Sequence, residues 1–403
     1  MNAPNDDAFA QARALFLDAV ALTESGRHAE AEPRLEAAAR LVPDRPSTLL
    51  NLAIVRLRLG RLQDALVPLD RLAALQPQDA AAGYQRALAL NRLGRHAEAL
   101  QALDALLAVQ PGLAPAHQMR GQTLQMLERH AEALPAYERA VALDPGLGEA
   151  WHLLGQMLRD LRRTDDARDA FRRALAAGAD PALCRYFLAG LGEGDAPQAS
   201  PEAYVRGLFD TYAADFEPHL LDVLRYRAHE HVARAAAAHG AAPVDAALDL
   251  GCGTGLCGPL LRPLARTLHG VDLSPTMLEQ AGRRGAYDAL VQADIADYLQ
   301  NTAERYQLVA AADVFIYVGD LEAVFAGVRR VLAPGGVFAF SVERADGEGS
   351  RLLPSLRYAH SEAYLRALAA RHGLAVAALQ PATLREDQRQ PIAGLVLCLR
   401  APA

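Results

Sequence analysis

Two hydrophobic rhythms divide the chain. Through residues 1–190, small and apolar positions return at helical spacing, interrupted by short polar turns. From residue 244 the pattern becomes short apolar runs that end in glycines or acids, with helical stretches between them. The runs 246–250, 267–272, 289–293, 306–312, 336–342, 374–380 and 393–399 are the expected strands. Such alternation predicts a doubly wound α/β fold with a mostly parallel sheet. The last two runs leave no room for a helix between them, so they are expected to pair antiparallel at the sheet edge.

The helical half is periodic. Pro43, Pro77, Pro111 and Pro145 are spaced by 34 residues, and Gly26, Gly60, Gly94, Glu128 and Arg162 follow the same step. So do Ala31, Ala65, Ala99, Ala133 and Ala167, and a fourth series, Ala19, Ala53, Ala87, Gly121 and Gly155. Two antiparallel helices pack closely only where small side chains sit at their crossing, which the last two series supply. The glycines suit a left-handed helix end, and the prolines close each repeat. Leu35, Leu69, Leu103, Tyr137 and Phe171 recur where a second helix meets its neighbour.

This pattern resembles the tetratricopeptide repeat, with five repeats starting near Ala12, Pro46, Ala80, Ala114 and Gly148 and a helix around Ala182–Leu191 as a cap. The resemblance implies an α-solenoid whose groove holds a peptide. Projected onto that groove are Tyr84, Asn91, Gln118, Gln122, Gln125, His152, Gln156 and Arg159. Phe16, Val20, Leu50, Ile54 and Leu57 make its other end apolar. The amides suit a peptide backbone or a solvated face, and the apolar end equally fits an internal contact or a homodimer seam. The Gly- and Pro-rich stretch 192–200 reads as a linker, and Ser200-Pro201-Glu202 as a helix start. The expected domains are therefore 1–191 and 201–403.

The densest chemical signal is Ala247-Leu248-Asp249-Leu250-Gly251-Cys252-Gly253-Thr254-Gly255. A strand ends in an acid and runs into a glycine loop, where backbone amides can approach a ligand. Asp272 follows at the spacing of a ribose-binding acid. A second strand ends in Gln292-Ala293-Asp294-Ile295. An acid two residues before the first glycine suits a cationic ligand better than a pyrophosphate.

In these segments the sequence resembles the class I S-adenosylmethionine-dependent methyltransferases over roughly residues 203–400. The resemblance implies a Rossmann-like seven-stranded domain with S-adenosylmethionine as cofactor. It assigns Asp249, Gly251, Cys252, Gly253, Thr254 and Gly255 to the methionine part. Asp272 falls to the ribose, and Leu273, Met277, Asp294 and Ile295 to the adenine. Ala312 and Asp313 mark the exit of the fourth strand, near the transferred methyl. Tyr212 and Tyr226 match lid aromatics or serve as plain packing residues. Asp313, Tyr317, Glu343 and His360 are the candidates for acting on an acceptor, with His360 equally suited to a structural place and Glu343 to pairing with an arginine. The whole resembles bacterial repeat-fused methyltransferases.

Composition narrows the picture. All 41 basic residues are arginine, so no lysine is present for a Schiff base, a P-loop or a Tyr-x3-Lys dehydrogenase dyad. Net charge is −7, with both halves acidic, which disfavours nucleic acid as a partner. Cys184, Cys252, Cys257 and Cys398 form no Cys-x-x-Cys pair, so no metal is expected and free thiols fit a reducing cytoplasm. No signal peptide or membrane span is legible. The exit Asp313-Val314-Phe315-Ile316 lacks the motif of enzymes acting on DNA amino groups. Three readings stand: a methyltransferase for a protein or carrier-bound acceptor, one for a small molecule, and a non-catalytic repeat scaffold.

Overall fold

The structure is a computed structural model. It describes residues 6–209, 217–218, 220–240, 243–387 and 389–403, with the backbone alone at 210–212, 216 and 219. The chain separates into two compact units, Met1–Ala179 and Asp180–Ala403.

The described residues of the first unit form five helix pairs. The leading helices are Asp6–Glu24, Pro46–Arg58, Ala80–Arg92, Ala114–Met126 and Gly148–Asp160, so four of the five expected starts fall on a helix start. The second helices end at Leu41, Leu75, Val109, Leu143 and Ala176. Between partners the chain turns through the left-handed region at Gly26, Gly60 and Gly94, and Glu128 and Arg162 keep that conformation at φ 58° and 60°. The small-residue series matches the size of what it faces. Ala19 shares a buried cluster with Leu35, Ala53 with Leu69, and Ala87 with Leu103. Where the large residue becomes aromatic, the small one shrinks to glycine: a Cβ on Gly121 would meet the Tyr137 ring at 2.6 Å.

The second unit is built on a mixed sheet. Its strands are β1 (Val244–Leu250), β2 (Ala265–Asp272), β3 (Ala289–Gln292), β4 (Tyr306–Ala311), β5 (Leu332–Arg344), β6 (Ser350–Leu352), β7 (Tyr358–His360), β8 (Ala375–Asp387) and β9 (Gln390–Arg400). The order β3-β2-β1-β4-β5 is parallel, and β9 then β8 continue it antiparallel, as expected. To the seven strands of this path the structure adds β6 and β7, which make nine strands among the described residues. These two are three residues each, too short to show a period; they pair antiparallel with each other, and β7 meets β5 at its far end, Glu343 and Arg344. Strand order reverses between β2-β1 and β4, which opens a crevice beyond their carboxyl ends. In the core Phe315 and Phe325 pack edge to face against Phe338 and Phe340, which stack on each other at 4.5 Å.

The unit boundary differs from the expected one. Helix Pro181–Gly190 belongs to the second unit, where the buried Tyr186 hydroxyl donates to the Leu356 carbonyl and shares a 2.7 Å hydrogen bond with Ser200 Oγ. Residues 197–200 are not a free linker. The Gln198 carbonyl accepts from the amides of Gly319 (2.7 Å) and Asp320 (2.8 Å), the Pro197 carbonyl from Tyr358 Oη (2.6 Å), and the Ser200 amide donates to Tyr317 (2.8 Å). A Gly/Pro-rich composition announces irregular backbone but not which donors will satisfy its carbonyls.

Candidate functional site

A cavity of about 730 Å³ opens at the crevice, within the usual range for ligand sites. One end is made by the turn after β1. Gly251 holds φ 63°, and a Cβ there would overlap the Val314 side chain; Gly253 holds φ 54° and faces open space. The Cys252 amide donates to Val271 at 3.0 Å, pinning the loop to β2. Asp249, Gly251, Cys252, Gly253 and Thr254 all line the cavity. Gly255 does not. It turns at φ 83° against Ala281 and Tyr287 and so shapes the loop from behind.

The acids approach from three strand ends. Asp249 is buried and accepts a 2.7 Å bond from the Tyr287 hydroxyl; burial pushes its carboxyl up to about 7. Asp272 accepts from the amides of Gly253 and Ser274, each at 2.9 Å, and burial raises its carboxyl as well. Asp294 lies exposed at the rim and caps the helix Ile295–Asn301 through Ala296 (2.8 Å) and Asp297 (3.1 Å). Leu273, Met277, Ile295 and Ala312 complete this end.

The other end holds Asp313, Tyr317, Arg357 and Arg385 with an apolar wall of Leu220, Leu224 and Ile316. Tyr226 is buried, its hydroxyl donating to the Ala312 carbonyl at 3.3 Å while its ring stacks on His229 at 5.0 Å. It is thus a fixed wall. The side chain of Tyr212 lies outside the described residues.

Two candidates do not reach the cavity. His360 is fully buried; its Nε2–H donates to the Val318 carbonyl at 2.9 Å, and burial pulls its imidazole down to about 4. Glu343 is buried on β5 and accepts from Arg385. The guanidinium of Arg385, on β8, also donates from one nitrogen to both Asp313 oxygens at 2.7 and 2.5 Å. Asp313 sits at φ 58°, a strained backbone that the ion pair and a 2.9 Å bond from its amide to Ser341 Oγ hold in place. Arg385 and Tyr287 escape the sequence reading. The expected strand stops at 380, and a register shift between Thr383 and Arg385 changes which face the arginine takes.

Several groove candidates of the first unit are engaged internally. Asn91 donates to Thr123 Oγ1 at 2.8 Å, Gln125 accepts from Tyr137, His152 is buried against Gln156 at 3.0 Å, and Arg159 pairs with Asp160 at 2.7 Å. Gln118 and Gln122 have no hydrogen-bond partner among the described residues, and Tyr84 is half-buried.

A family described as a methyltransferase domain matches residues 248–340, and tetratricopeptide-repeat families match 22–89, 81–112 and 119–182. The chain is a tetratricopeptide-repeat region fused to a class I methyltransferase domain. The methyltransferase domain is similar to the trans-aconitate 2-methyltransferase of Paracidovorax citrulli, 37% identical over 121 residues, or 28% of this chain and 44% of that one. It is also similar to the malonyl-[acyl-carrier protein] O-methyltransferase of Enterobacter lignolyticus, 35% identical over 112 residues, or 28% and 42%. The chain spans about half the length of the curated relatives it matches, or less. Among solved structures, the N-methyltransferase NodS of Bradyrhizobium japonicum with S-adenosyl-L-homocysteine is 22% identical, with TM-score 0.36 over 43% of this chain and 86% of NodS. No helix among the described residues is long and apolar enough to cross a membrane.

Proposed function

We propose that the methyltransferase domain moves a methyl group in line from S-adenosylmethionine to an acceptor on a protein, peptide or carrier recruited by the repeats. One observation carries this reading: the glycine loop, three acids, Asp313, Tyr317, Arg357 and Arg385 all line a single cavity.

The residues present fit the cofactor. Thr254 Oγ1 is buried in the loop with no hydrogen-bond partner among the described residues, leaving a group for the methionine part to satisfy. Asp249 is a buried carboxyl whose one side-chain hydrogen bond comes from Tyr287, and a ligand ammonium would supply its missing counter-charge. Asp272 would take the ribose hydroxyls, and Asp294 with Leu273, Met277 and Ile295 the adenine. When bound, the cofactor supplies an electrophilic methyl on a sulfonium. The chain's own work is alignment and exclusion of water, and such positioning lowers a barrier by about 7–11 kcal/mol. Asp313, pinned by Arg385, orients the acceptor beside Tyr226 and Tyr317.

Tetratricopeptide repeats have protein-binding capacity, and the similarity to an enzyme named for an acyl-carrier-protein substrate supports a delivered acceptor. The test compares the full chain with a truncation starting at Asp180, which keeps Tyr186. Both receive labelled S-adenosylmethionine in cell extract, with S-adenosylhomocysteine binding as the check on folding. Label that enters protein only with the full chain supports the proposal; label found only in small metabolites opposes it.

A further inference from the structure

Arginines around the methyltransferase cavity pair with acids at short range: Arg385 with Asp313 and Glu343, Arg206 with Glu202, and Arg284 behind the loop with Glu217. Arg357 departs from this habit. Its side chain is three-quarters covered, lines the cavity, and has one carboxylate within ion-pair distance among the described residues, Asp387 Oδ2 at 4.0 Å, with the buried Glu343 feeling its charge from farther off. It makes no side-chain hydrogen bond among the described residues, although its fork carries five N–H donors. Tyr317 lines the same end. Its ring packs edge-on to Phe209 at 5.6 Å, and its hydroxyl has no hydrogen-bond partner among the described residues.

Both groups stand on a stiff frame. The His360 imidazole ties β7, which starts one residue after Arg357, to the Val318 carbonyl, one residue after Tyr317. Tyr358 anchors the same strand to Pro197, and the Ser200 amide anchors Tyr317. The two acids hold both terminal nitrogens of Arg385, and only its buried Nε–H is left without a partner among the described residues, so it has no fork left for a ligand. What remains at this end is an unspent guanidinium and phenol above an apolar wall. That arrangement takes a planar anion and rejects an ammonium.

We propose that Arg357 and Tyr317 bind a carboxylate carried on a short apolar body, so that the acceptor of this methyltransferase is a carboxylic acid. The proposal deepens the methyltransferase reading and rests on it. His360 is then a positioning residue for this anchor.

The test titrates hexanoate into the full chain with and without saturating S-adenosylhomocysteine, beside hexanamide, hexylamine and inorganic phosphate. Hexanoate should bind about ten-fold or more tighter than hexanamide, since a charge-assisted bond is at stake. Arg357→Gln should remove that advantage, and Tyr317→Phe should weaken it several-fold. Each variant should bind S-adenosylhomocysteine as the wild type does. Equal binding of hexanamide or hexylamine, stronger binding of phosphate, or unchanged hexanoate affinity in Arg357→Gln overturns the proposal. Failure of the wild type to bind S-adenosylhomocysteine counts against the methyltransferase reading instead, because hexanoate is also measured without it.

Discussion

Gly155 faces the ring of Phe171 so closely that a β-carbon on it would lie 2.8 Å from the ring edge. The repeats thus trade size between two helices: alanine stands opposite leucine, and glycine opposite an aromatic. Gly155→Ala should destabilise the repeat unit by about 1–3 kcal/mol through overpacking, despite alanine's better helix propensity. Phe171→Leu in the same chain should recover part of that loss. Urea unfolding of the two single variants and the double variant measures the coupling, and additive effects would deny the size match.

The Asp249 carboxyl, pushed up to about 7 by burial, is part-protonated in the free protein at neutral pH. A cationic ligand group favours its ionised form, so binding below pH 7 must release a proton, whereas binding well above it need not. Affinity for S-adenosylhomocysteine should therefore rise with pH through 7, and fall toward about ten-fold per unit below it. Calorimetry at pH 6 in buffers of different ionisation heat should show the released proton. Asp249→Asn should abolish both the release and the slope.

Arg385 neutralises two buried acids from one side chain. Arg385→Ala leaves Asp313 and Glu343 without their counter-charge and should cost about 3–5 kcal/mol in the unfolding of the second unit. Adding Glu343→Leu should restore a measurable part by removing one stranded carboxylate. Chemical denaturation monitored on the methyltransferase domain tests both.

His360 is neutral at pH 7, since burial holds its imidazole near 4. Its folded value lies below the unfolded one of 6.5. The unfolded chain therefore takes up this proton first as pH falls, and the fold loses stability between about 6.5 and 4, on the order of 3 kcal/mol from this group. His360→Asn should flatten that part of the acid-unfolding curve while lowering stability at pH 7. The pH–rate profile should carry no limb removed by this substitution, as it would if His360 were the base.

Legibility followed the range over which each contact is encoded. The repeats were legible because a 34-residue step leaves small and large residues at matched positions, and even the change from Ala87 to Gly121 tracks that from Leu103 to Tyr137. The acids Asp249, Asp272 and Asp294 were legible because each stands at or just after the end of an apolar run. Arg385 was not, since its face depends on a register shift within β8. His360 and Glu343 read as candidates because they follow the expected run 336–342, but that strand continues through Glu343, and β7 pairs back onto it where both are buried. The stretch 197–200 read as a linker because composition does not say that Gly319, Asp320 and Tyr358 will donate to it.

The most direct measurement is calorimetric titration of the full chain with S-adenosylhomocysteine, on the wild type and on Asp272→Ala. Saturable one-to-one binding is expected, weakened about 30-fold or more by the substitution, because two ligand hydroxyls lose a charged acceptor. Absence of binding by the wild type, or equal affinity in Asp272→Ala, would contradict the assignment of this cavity to methyl transfer.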